Sequence, residues 1–212
     1  QYRYSPGSGF VTNMQPTFLS IGIYGNGTLY VDQPDDAKGL RYRAIHMSES
    51  YYVQNHANIV DGHYRPFLLT ARQAVSQFGT DAPKEIQDKA ADPLRSEEKN
   101  QYLHVVVPRD DFVPGMLTAQ GRRFQSLYLS LEPIGMVIEG GYNTFPYQKS
   151  RYTQSSNETY GRGPMQWVLA SAKTLNEQKK ILLKQGHRNV DPVLLVHDDG
   201  VMDGFSMRAG AL

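Results

Sequence analysis

The stretch NETYGRGPMQWVLASAKTLNEQKK, residues 157–180, divides the chain into two parts of different character. Before it, apolar residues alternate as in strands. After Pro164 they recur at helical spacing as far as Gln185, which gives a helix of about 33 Å at 1.5 Å per residue. The sequence therefore predicts an α+β fold: a β-rich part with short helices, one long helix, and a small β element at the end, with a boundary near residue 150.

The segment Tyr160-Gly161-Arg162-Gly163-Pro164 at the mouth of this helix admits two explanations. A phosphate-binding loop needs several inward-pointing backbone N–H groups and a lysine or serine soon after them. This segment has neither the G-x-x-x-x-G-K-[ST] spacing nor a full G-x-G-x-x-G, and Pro164 removes one helix-terminal donor. A structural hinge or subunit contact is therefore favoured.

Within the long helix, Pro164 suits the first turn and Gly186 suits the left-handed stop. Lysines gather near the C-terminal end, where the helix dipole favours cations. The apolar stripe consists of Met165, Val168, Leu169, Ala172, Leu175 and Leu182.

The first 150 residues contain several strand patterns and two short helices. Thr70 and Gln73 form a capping-box pattern, which predicts a helix over 71–78 that stops at Gly79. A second helix is expected from Pro83 to Ala91. Strands are expected at 28–31, 41–47, 51–54, 63–69, 102–107, 126–131, 136–139 and 144–147, with Asp61-Gly62 as a hairpin turn and loops at 92–100 and 108–123.

The N-terminal region is less determined. Residues 1–17 have no clean period. The apolar run 18–24 before Gly25-Asn26-Gly27 is read equally well as the first strand of a hairpin or as the tail of a helix that stops at Gly25.

Composition excludes several classes of function. The net charge of +1 argues against a general nucleic-acid binder that coats phosphates with lysine. There is no cysteine, so disulfides and thiolate metal sites are excluded, and the 14 tyrosines favour strands and interfaces. No apolar run has membrane-spanning length. The chain opens on Gln1 and ends on Leu212 without a cap, so we expect a piece of a longer protein.

One candidate metal site follows an apolar strand pattern, at His197-Asp198-Asp199. Carboxylates at strand ends can hold catalytic Mg²⁺ or Mn²⁺, which gives the alternative function of a metal-dependent phosphodiesterase or nuclease. Asp-Asp-Gly is also ordinary turn chemistry, and this reading is favoured. Manganese-dependent DNA cleavage that is lost in Asp199→Ala is the observation that would distinguish them. The histidines show no metal-binding spacing, and a G-x-S-x-G elbow is missing.

Four segments carry a resemblance to a known family. They are IYGNGTLYV (23–31), LRYRAIHMSESYYVQNHANIVDGHYRPFLLTARQAVSQFG (40–79), PYQKSRYTQSSNETYGRGPMQWVLASAKTLNEQKK (146–180) and DPVLLVHDDGVMDGFSMRAGAL (191–212). In this order they resemble the portal, or head-to-tail connecting, proteins of T7-like short-tailed bacteriophages. The third is the most specific, with Glu-x-Tyr-Gly-Arg-x-Pro before the helix. The family's basic-aromatic pair, commonly Arg-Trp, is Arg151-Tyr152 here, and its N-terminal helices and C-terminal half are missing.

The resemblance implies a non-enzymatic ring of about twelve subunits, without cofactor or membrane segment, at the portal vertex of a capsid assembled in the host cytoplasm. Double-stranded DNA would pass through it without sequence preference during packaging and ejection. The implied partners are further copies of the chain, the major capsid protein, the terminase large subunit and the tail adaptor protein.

The resemblance also divides the chain. Residues 1–158 would form part of the wing domain, 159–186 the hinge and stem helix, and 187–212 the start of the clip. Gly161 and Gly163 would let the chain turn sharply, and Arg162 would pair with a carboxylate nearby or on the neighbouring subunit. The candidate DNA-channel contacts are Lys173, Lys179, Lys180 and Lys184. From helical spacing, we expect Lys180 to lie on a different side of the helix from Lys173 and Lys184.

Overall fold

The computed structural model describes residues 7–33, 39–156 and 158–190. It separates into two units, residues 1–164 and 165–212. The fold is α+β, as predicted. Its helices and strands in chain order are α1 (Phe10–Tyr24), β1 (Asn26–Asp32), β2 (Arg41–Ile45), β3 (Tyr51–Gln54), β4 (Val60–Thr70), α2 (Ala71–Phe78), α3 (Lys84–Ala91), β5 (Lys99–Pro108), β6 (Phe124–Leu131), β7 (Ile134–Tyr142), β8 (Tyr147–Arg151) and α4 (Pro164–Val190).

The strands of the first unit form two antiparallel sheets. The three-stranded sheet has the order β2-β1-β8, and the five-stranded sheet has the order β3-β4-β5-β6-β7. In the five-stranded sheet each strand pairs with its neighbour in sequence. In the three-stranded sheet, by contrast, β8 returns after more than a hundred residues to pair with β1, so that Thr28 lies opposite Lys149.

The two faces of the three-stranded sheet pack against different partners. Helix α1 lies on one face, where the ring of Phe10 meets the ring of Tyr42 edge-on at 5.0 Å and the side chain of Asn13 accepts a hydrogen bond from the backbone N–H of Ala44 at 2.9 Å. The other face packs against the five-stranded sheet. The core between the sheets contains Tyr30, Ile45, Val106 and Tyr147, with Phe124, Tyr142 and Phe145 at its margin.

One face of the five-stranded sheet, called the inner face here, carries two covers. The three-stranded sheet covers the end that includes Val106. Helices α2 and α3 cover the end that includes Phe67 and Tyr102, which are paired across β4 and β5. The helices and the connection between them contribute the buried side chains Ala71, Ala74, Phe78, Ala82 and Ile86. Because residues two apart in a strand share a face, both covers lie on the same side of the sheet.

The predicted helix over 71–78 is confirmed, including its cap. The side chain of Thr70 accepts a hydrogen bond from the N–H of Gln73 at 3.3 Å, and the Gln73 side chain accepts one from the N–H of Thr70 at 3.1 Å. This capping box satisfies two helix-terminal donors, so β4 passes into α2 without a loop. Helix α3 likewise confirms the helix expected after Pro83.

The N-terminal part of the chain is helical where the sequence had no clear period. The run 18–24 belongs to α1, which confirms the helix alternative, and Gly25 ends the helix in the left-handed conformation with φ 77°. Helix α1 was missed upstream because Pro16 lies inside it and its apolar residues follow no sharp stripe. Its side chains Val11, Phe18, Leu19 and Ile23 are exposed.

Three further expectations are corrected. Asp61-Gly62 lies inside β4, and the β3–β4 turn is formed by residues 55–59, where Asn58 has φ 60°. The strand expected over 144–147 is displaced to β8, because pairing with β1 selects residues 147–151. Helix α4 continues through Gly186 to Val190, since an interior glycine costs only about 1 kcal/mol against alanine. The β element expected after 190 lies outside the described residues.

Candidate functional site: the glycine crossing and an open sheet face

The predicted hinge residues lie where the chain crosses the end of α1. Segment 161–163 passes over Gly25, and the two glycines Gly161 and Gly163 are both buried. The N–H of Tyr152 donates to the carbonyl of Gly25 at 2.9 Å, and the N–H of Arg162 donates to the carbonyl of Thr153 at 2.7 Å. We call this contact the glycine crossing; it consists of Gly25, Asn26, Gly161, Arg162 and Gly163.

Close approach of backbone to backbone explains the glycines of the crossing. A Cβ on Gly163 would lie 2.6 Å from the nitrogen of Gly25, and a Cβ on Gly161 would lie 2.6 Å from the Gly25 carbonyl oxygen. A Cβ on Gly25 would collide with the backbone of Arg162 and Gly163. Only Gly25 among these three has a left-handed φ. Gly161 and Gly163 are therefore required for space rather than for conformational freedom.

Asn26 holds the crossing together, and sequence reasoning did not identify it. Its side-chain oxygen accepts hydrogen bonds from the N–H of Gly161 at 2.7 Å and the hydroxyl of Tyr52 at 2.8 Å. Its amide nitrogen donates to the carbonyls of Gly161 and Tyr24, both at 2.9 Å. Both N–H donors and both lone pairs of the oxygen of this side-chain amide are thus used. The pair Asn26-Gly27 is typical of a turn, so the sequence pattern does not indicate this role.

The other two predicted residues before the helix also have partners. The ring of Tyr160 packs against Tyr52 with centroids 4.4 Å apart. Arg162 forms a two-point ion pair with Glu158, including a bond from Nε to Oε2 of 3.0 Å. The carboxylate nearest to Arg162 in the described chain is therefore on its own subunit. With more than half of the Arg162 side chain exposed, this pair contributes little to stability.

The four candidate lysines lie on α4, whose residues from 165 to 190 are all exposed. At about 100° per residue, Lys173, Lys180 and Lys184 fall within roughly 40° of one another, while Lys179 lies about 100° or more from them. The expected separation of Lys180 from Lys173 and Lys184 is therefore wrong, and Lys179 is the residue out of phase. Lys180 also pairs with Glu177 at 3.3 Å.

The second face of the five-stranded sheet, called the open face here, is apolar and exposed. Antiparallel sheets with one solvated face usually carry polar residues there. Here five apolar side chains on that face are 37–63% exposed, and several others are half-buried. The face consists of Tyr51, Val53, Tyr64, Leu68, Leu103, Leu127, Leu129 and Met136. Exposed apolar surfaces of this kind mark contacts with other proteins.

A half-buried basic cluster joins the two sheets, and no local sequence pattern indicates it. Lys149 donates hydrogen bonds from Nζ to the hydroxyls of Thr28 at 2.9 Å and Ser50 at 2.6 Å, and lies 4.5 Å from the ring centre of Tyr52. The hydroxyl of Ser50 lies 3.1 Å from Nε2 of His63. Burial lowers the pKa of Lys149 to about 6, and burial together with Lys149 lowers the pKa of His63 to about 2.

His104 extends this cluster as a packed polar residue. Its ring nitrogens lie 2.6 Å from the hydroxyl of Tyr147 and 2.9 Å from that of Ser126. Burial lowers its pKa to about 3, and nearby Arg65 adds to the effect. Because Ser50 is 1% exposed, the Ser50–Lys149 pair has no access for a substrate and is structural.

The metal-site and membrane expectations concern different parts of the chain. His197, Asp198 and Asp199 lie outside the described residues. Within 7–33, 39–156 and 158–190, there is no group of three or more histidine and acidic side chains placed to hold a metal ion. None of the helices in those ranges combines the length and apolar character of a membrane span.

Comparison with known proteins gives a consistent family. Residues 5–212 match the family described as bacteriophage head to tail connecting protein. The portal protein of Salmonella phage epsilon15 is 22% identical over 166 residues, which cover 77% of this chain and 30% of that protein. The probable portal protein of Bordetella phage BPP-1 is 22% identical over 164 residues, which cover 76% of this chain and 29% of that protein. The chain thus spans less than a third of the curated relatives it matches, and it belongs to the bacteriophage head to tail connecting protein family.

Proposed function

We propose that the chain is the wing-and-stem part of a structural portal protein, which assembles as a ring at one capsid vertex. Double-stranded DNA passes through the ring during packaging and ejection. The observation that carries this proposal is the family match, which extends over nearly the whole chain. The open face supports it, because that face offers an apolar surface for a neighbouring copy.

The finer assignments follow the family resemblance. We propose that about twelve copies close the ring, that the major capsid protein surrounds it, and that the terminase large subunit and the tail adaptor protein dock on it. The wing, stem and clip divisions at 1–158, 159–186 and 187–212 belong to the same proposal. The net charge of +1 suits a channel through which DNA slides, since many phosphate contacts would hold one register.

Negative-stain electron microscopy of the intact gene product tests the proposed function directly. We expect rings with a central hole. Particles without rings, at a concentration where the protein is folded, would contradict it.

The open face gives a prediction about assembly. In the intact protein, Leu68→Ser combined with Met136→Ser is expected to reduce ring formation several-fold while leaving the fold intact, because these side chains are 59% and 63% exposed. Circular dichroism and analytical ultracentrifugation measure the two effects. Leu94→Ser, at a 93% exposed position away from that face, is the matched control. Normal rings from the double variant would show that the open face is not a subunit contact.

Arg162→Ala tests the proposed hinge role. Loss of the exposed pair with Glu158 is expected to lower the free energy of unfolding by less than about 1 kcal/mol. Ring closure is nevertheless expected to be impaired, because the pair fixes the segment just before the helix. Urea unfolding and ring counts by microscopy measure the two effects, with Glu158→Gln as the partner variant. If Arg162→Ala assembles normal rings that package DNA, Arg162 has no such role.

The helix lysines give a prediction about DNA passage. Replacing Lys173, Lys180 and Lys184 with glutamine is expected to weaken the salt dependence of DNA ejection, because these residues share one side of α4. Lys179→Gln, which lies on another side, is the control and should change it less. Unaltered salt dependence in the triple variant would assign these lysines to protein or solvent contacts.

A further inference from the structure

A cleft of about 650 Å³ opens on the inner face of the five-stranded sheet. The three-stranded sheet covers one end of that face and helix α2 begins the cover of the other end. The cleft is lined by residues from both covers and from the sheet between them. Its lining includes Asp32, Arg41, Arg43, Arg65, Ser76 and Gln77.

The charge in the cleft is not balanced within the described chain. Three guanidinium groups, those of Arg41, Arg43 and Arg65, line it. Asp32 forms an ion pair with Arg41 at 3.1 Å, and Glu49 forms one with Arg65 at 2.9 Å. Three cations against two carboxylates leave one positive charge, and it belongs to Arg43.

Arg43 carries this remaining positive charge on a residue that is exposed to solvent at the cleft. Within the part of the chain that the structure describes, its side chain makes no hydrogen bond or ion pair. Burial and the positive charges of Arg65 and Arg41 lower its pKa. Glu49 acts in the opposite direction, but the hydrogen bonds of its Oε2 go to Nε and a terminal nitrogen of Arg65 at 3.1 and 2.9 Å.

Arg65 supplies a fixed positive charge in the lining of the cleft. Its side chain is 8% exposed, is held on two nitrogens by Glu49, and lies 4.8 Å over the ring of Phe67. A charge held in this way is poorly screened and loses little side-chain entropy when a ligand binds. The His104 ring in the same cleft stays neutral near pH 7, because burial lowers its pKa.

The remaining hydrogen-bonding groups favour an oxyanion. Asp32 uses its two oxygens on Arg41 and on the N–H of Gln33, at 3.1 and 2.8 Å, so its acceptor capacity is largely occupied. Ser76 and Gln77 of α2 are exposed at the cleft and can donate. Guanidinium groups bind phosphate oxygens in two-point geometry, and hydroxyl and amide donors complete such sites.

We propose that this cleft binds a phosphate group between Arg43 and Arg41, with Arg65 behind them, either as inorganic phosphate or as the monoester of a small organic phosphate. The cleft is larger than a phosphate ion needs and is lined by aromatic rings, including that of Tyr128, which can accommodate an organic part. Every residue that lines the cleft belongs to the first unit of one chain.

Isothermal titration calorimetry of the 212-residue chain tests the proposal. Sodium phosphate and adenosine monophosphate are titrated separately, with sodium chloride of matched ionic strength as the blank. We expect saturable binding of at least one of them. Arg43→Gln is expected to weaken it about tenfold, as loss of a charged two-point contact does. Arg72→Gln, which changes an exposed arginine paired with Glu97 outside the cleft, should leave the affinity within about twofold.

Thermal unfolding separates loss of the site from loss of the fold. Arg43→Gln removes no hydrogen bond and relieves repulsion from Arg41 and Arg65, so without phosphate its midpoint should equal or exceed that of the wild type. Equal affinities for phosphate and adenosine monophosphate would show that the site recognises the phosphate group alone. Tighter binding of adenosine monophosphate would show that the site also recognises the organic part of the ester. Failure of both to saturate, or unchanged binding by a folded Arg43→Gln, would overturn the site.

Discussion

Gly25→Ala is expected to lower the free energy of unfolding by about 4 kcal/mol, since two separate penalties add. Gly25 has φ 77°, a conformation that a residue with a Cβ adopts at a cost of about 1–2 kcal/mol. The new Cβ would also collide with the backbone of Arg162 and Gly163, which cannot rotate away as a flexible side chain can. Overpacking of this kind costs about 1–3 kcal/mol.

Urea unfolding at an unchanged m-value measures this effect. Gly22→Ala is the matched control, because it lies three residues away inside α1, where a Cβ would meet nothing within 4 Å. That change should raise the free energy of unfolding by about 0.5–1 kcal/mol, since alanine is the better helix former. If Gly25→Ala stays within 1 kcal/mol of the wild type, about the size of a single helix-propensity change, the crossing is not tightly packed.

The stability of the protein is expected to rise with pH from about 6 to well above 8, because the basic cluster is buried. Burial lowers the pKa of Lys149 from 10.5 to about 6, so between these values the unfolded chain binds a proton that the folded chain does not. Stability then increases with pH across that window. From pH 7 to pH 9 we expect a gain of about 2 kcal/mol in the free energy of unfolding.

The two histidines extend the same trend to lower pH. Burial lowers the pKa of His63 to about 2 and that of His104 to about 3, both from 6.5. Their contribution is present above pH 6.5 and is lost as the pH falls through that window. We therefore expect acid unfolding without a stable plateau between pH 5 and pH 8.

Urea unfolding of Lys149→Met at pH 6, 7.5 and 9 checks the source of the pH dependence. The variant should lose most of the rise between pH 7.5 and pH 9, while Thr28 and Ser50 keep their mutual hydrogen bond of 2.8 Å. Lys99→Met, at an exposed position, should keep the rise. A wild-type protein whose stability does not change from pH 7.5 to pH 9 would refute the assignment.

Local signals predicted local structure well. Thr70 and Gln73 predicted the start of α2, and Pro164 predicted the start of α4, because capping boxes and first-turn prolines act through their own backbone. Gly186 misled because an interior glycine costs a helix only about 1 kcal/mol against alanine. Asp61-Gly62 misled because pairing of β4 with β3, which places Gly62 opposite Val53, outweighs turn preference.

Features that depend on distant residues were not predictable from local patterns. Asn26 acts on Gly161, 135 residues later, and Lys149 acts on Thr28 and Ser50 of other elements. The cleft arises because the three-stranded sheet and the helices α2 and α3 leave a gap between them on one face of the five-stranded sheet. Periodic sequence patterns do not indicate such a gap. The partners of the predicted segment 160–164 are likewise visible only in three dimensions.

The long return of β8 to β1 affects how the protein emerges from the ribosome. Strands β4 to β7 each pair with the strand made just before or after, so they can assemble as they appear. Thr28 cannot contact Lys149 until that residue is synthesised. Lys149 comes 121 residues later, and synthesis of that length takes about 10 s at ordinary elongation rates. A two-stranded ribbon is only marginally stable alone. A nascent chain that stalls before residue 147 therefore carries a folded meander beside an unfinished sheet, and such chains are targets for chaperones and proteases.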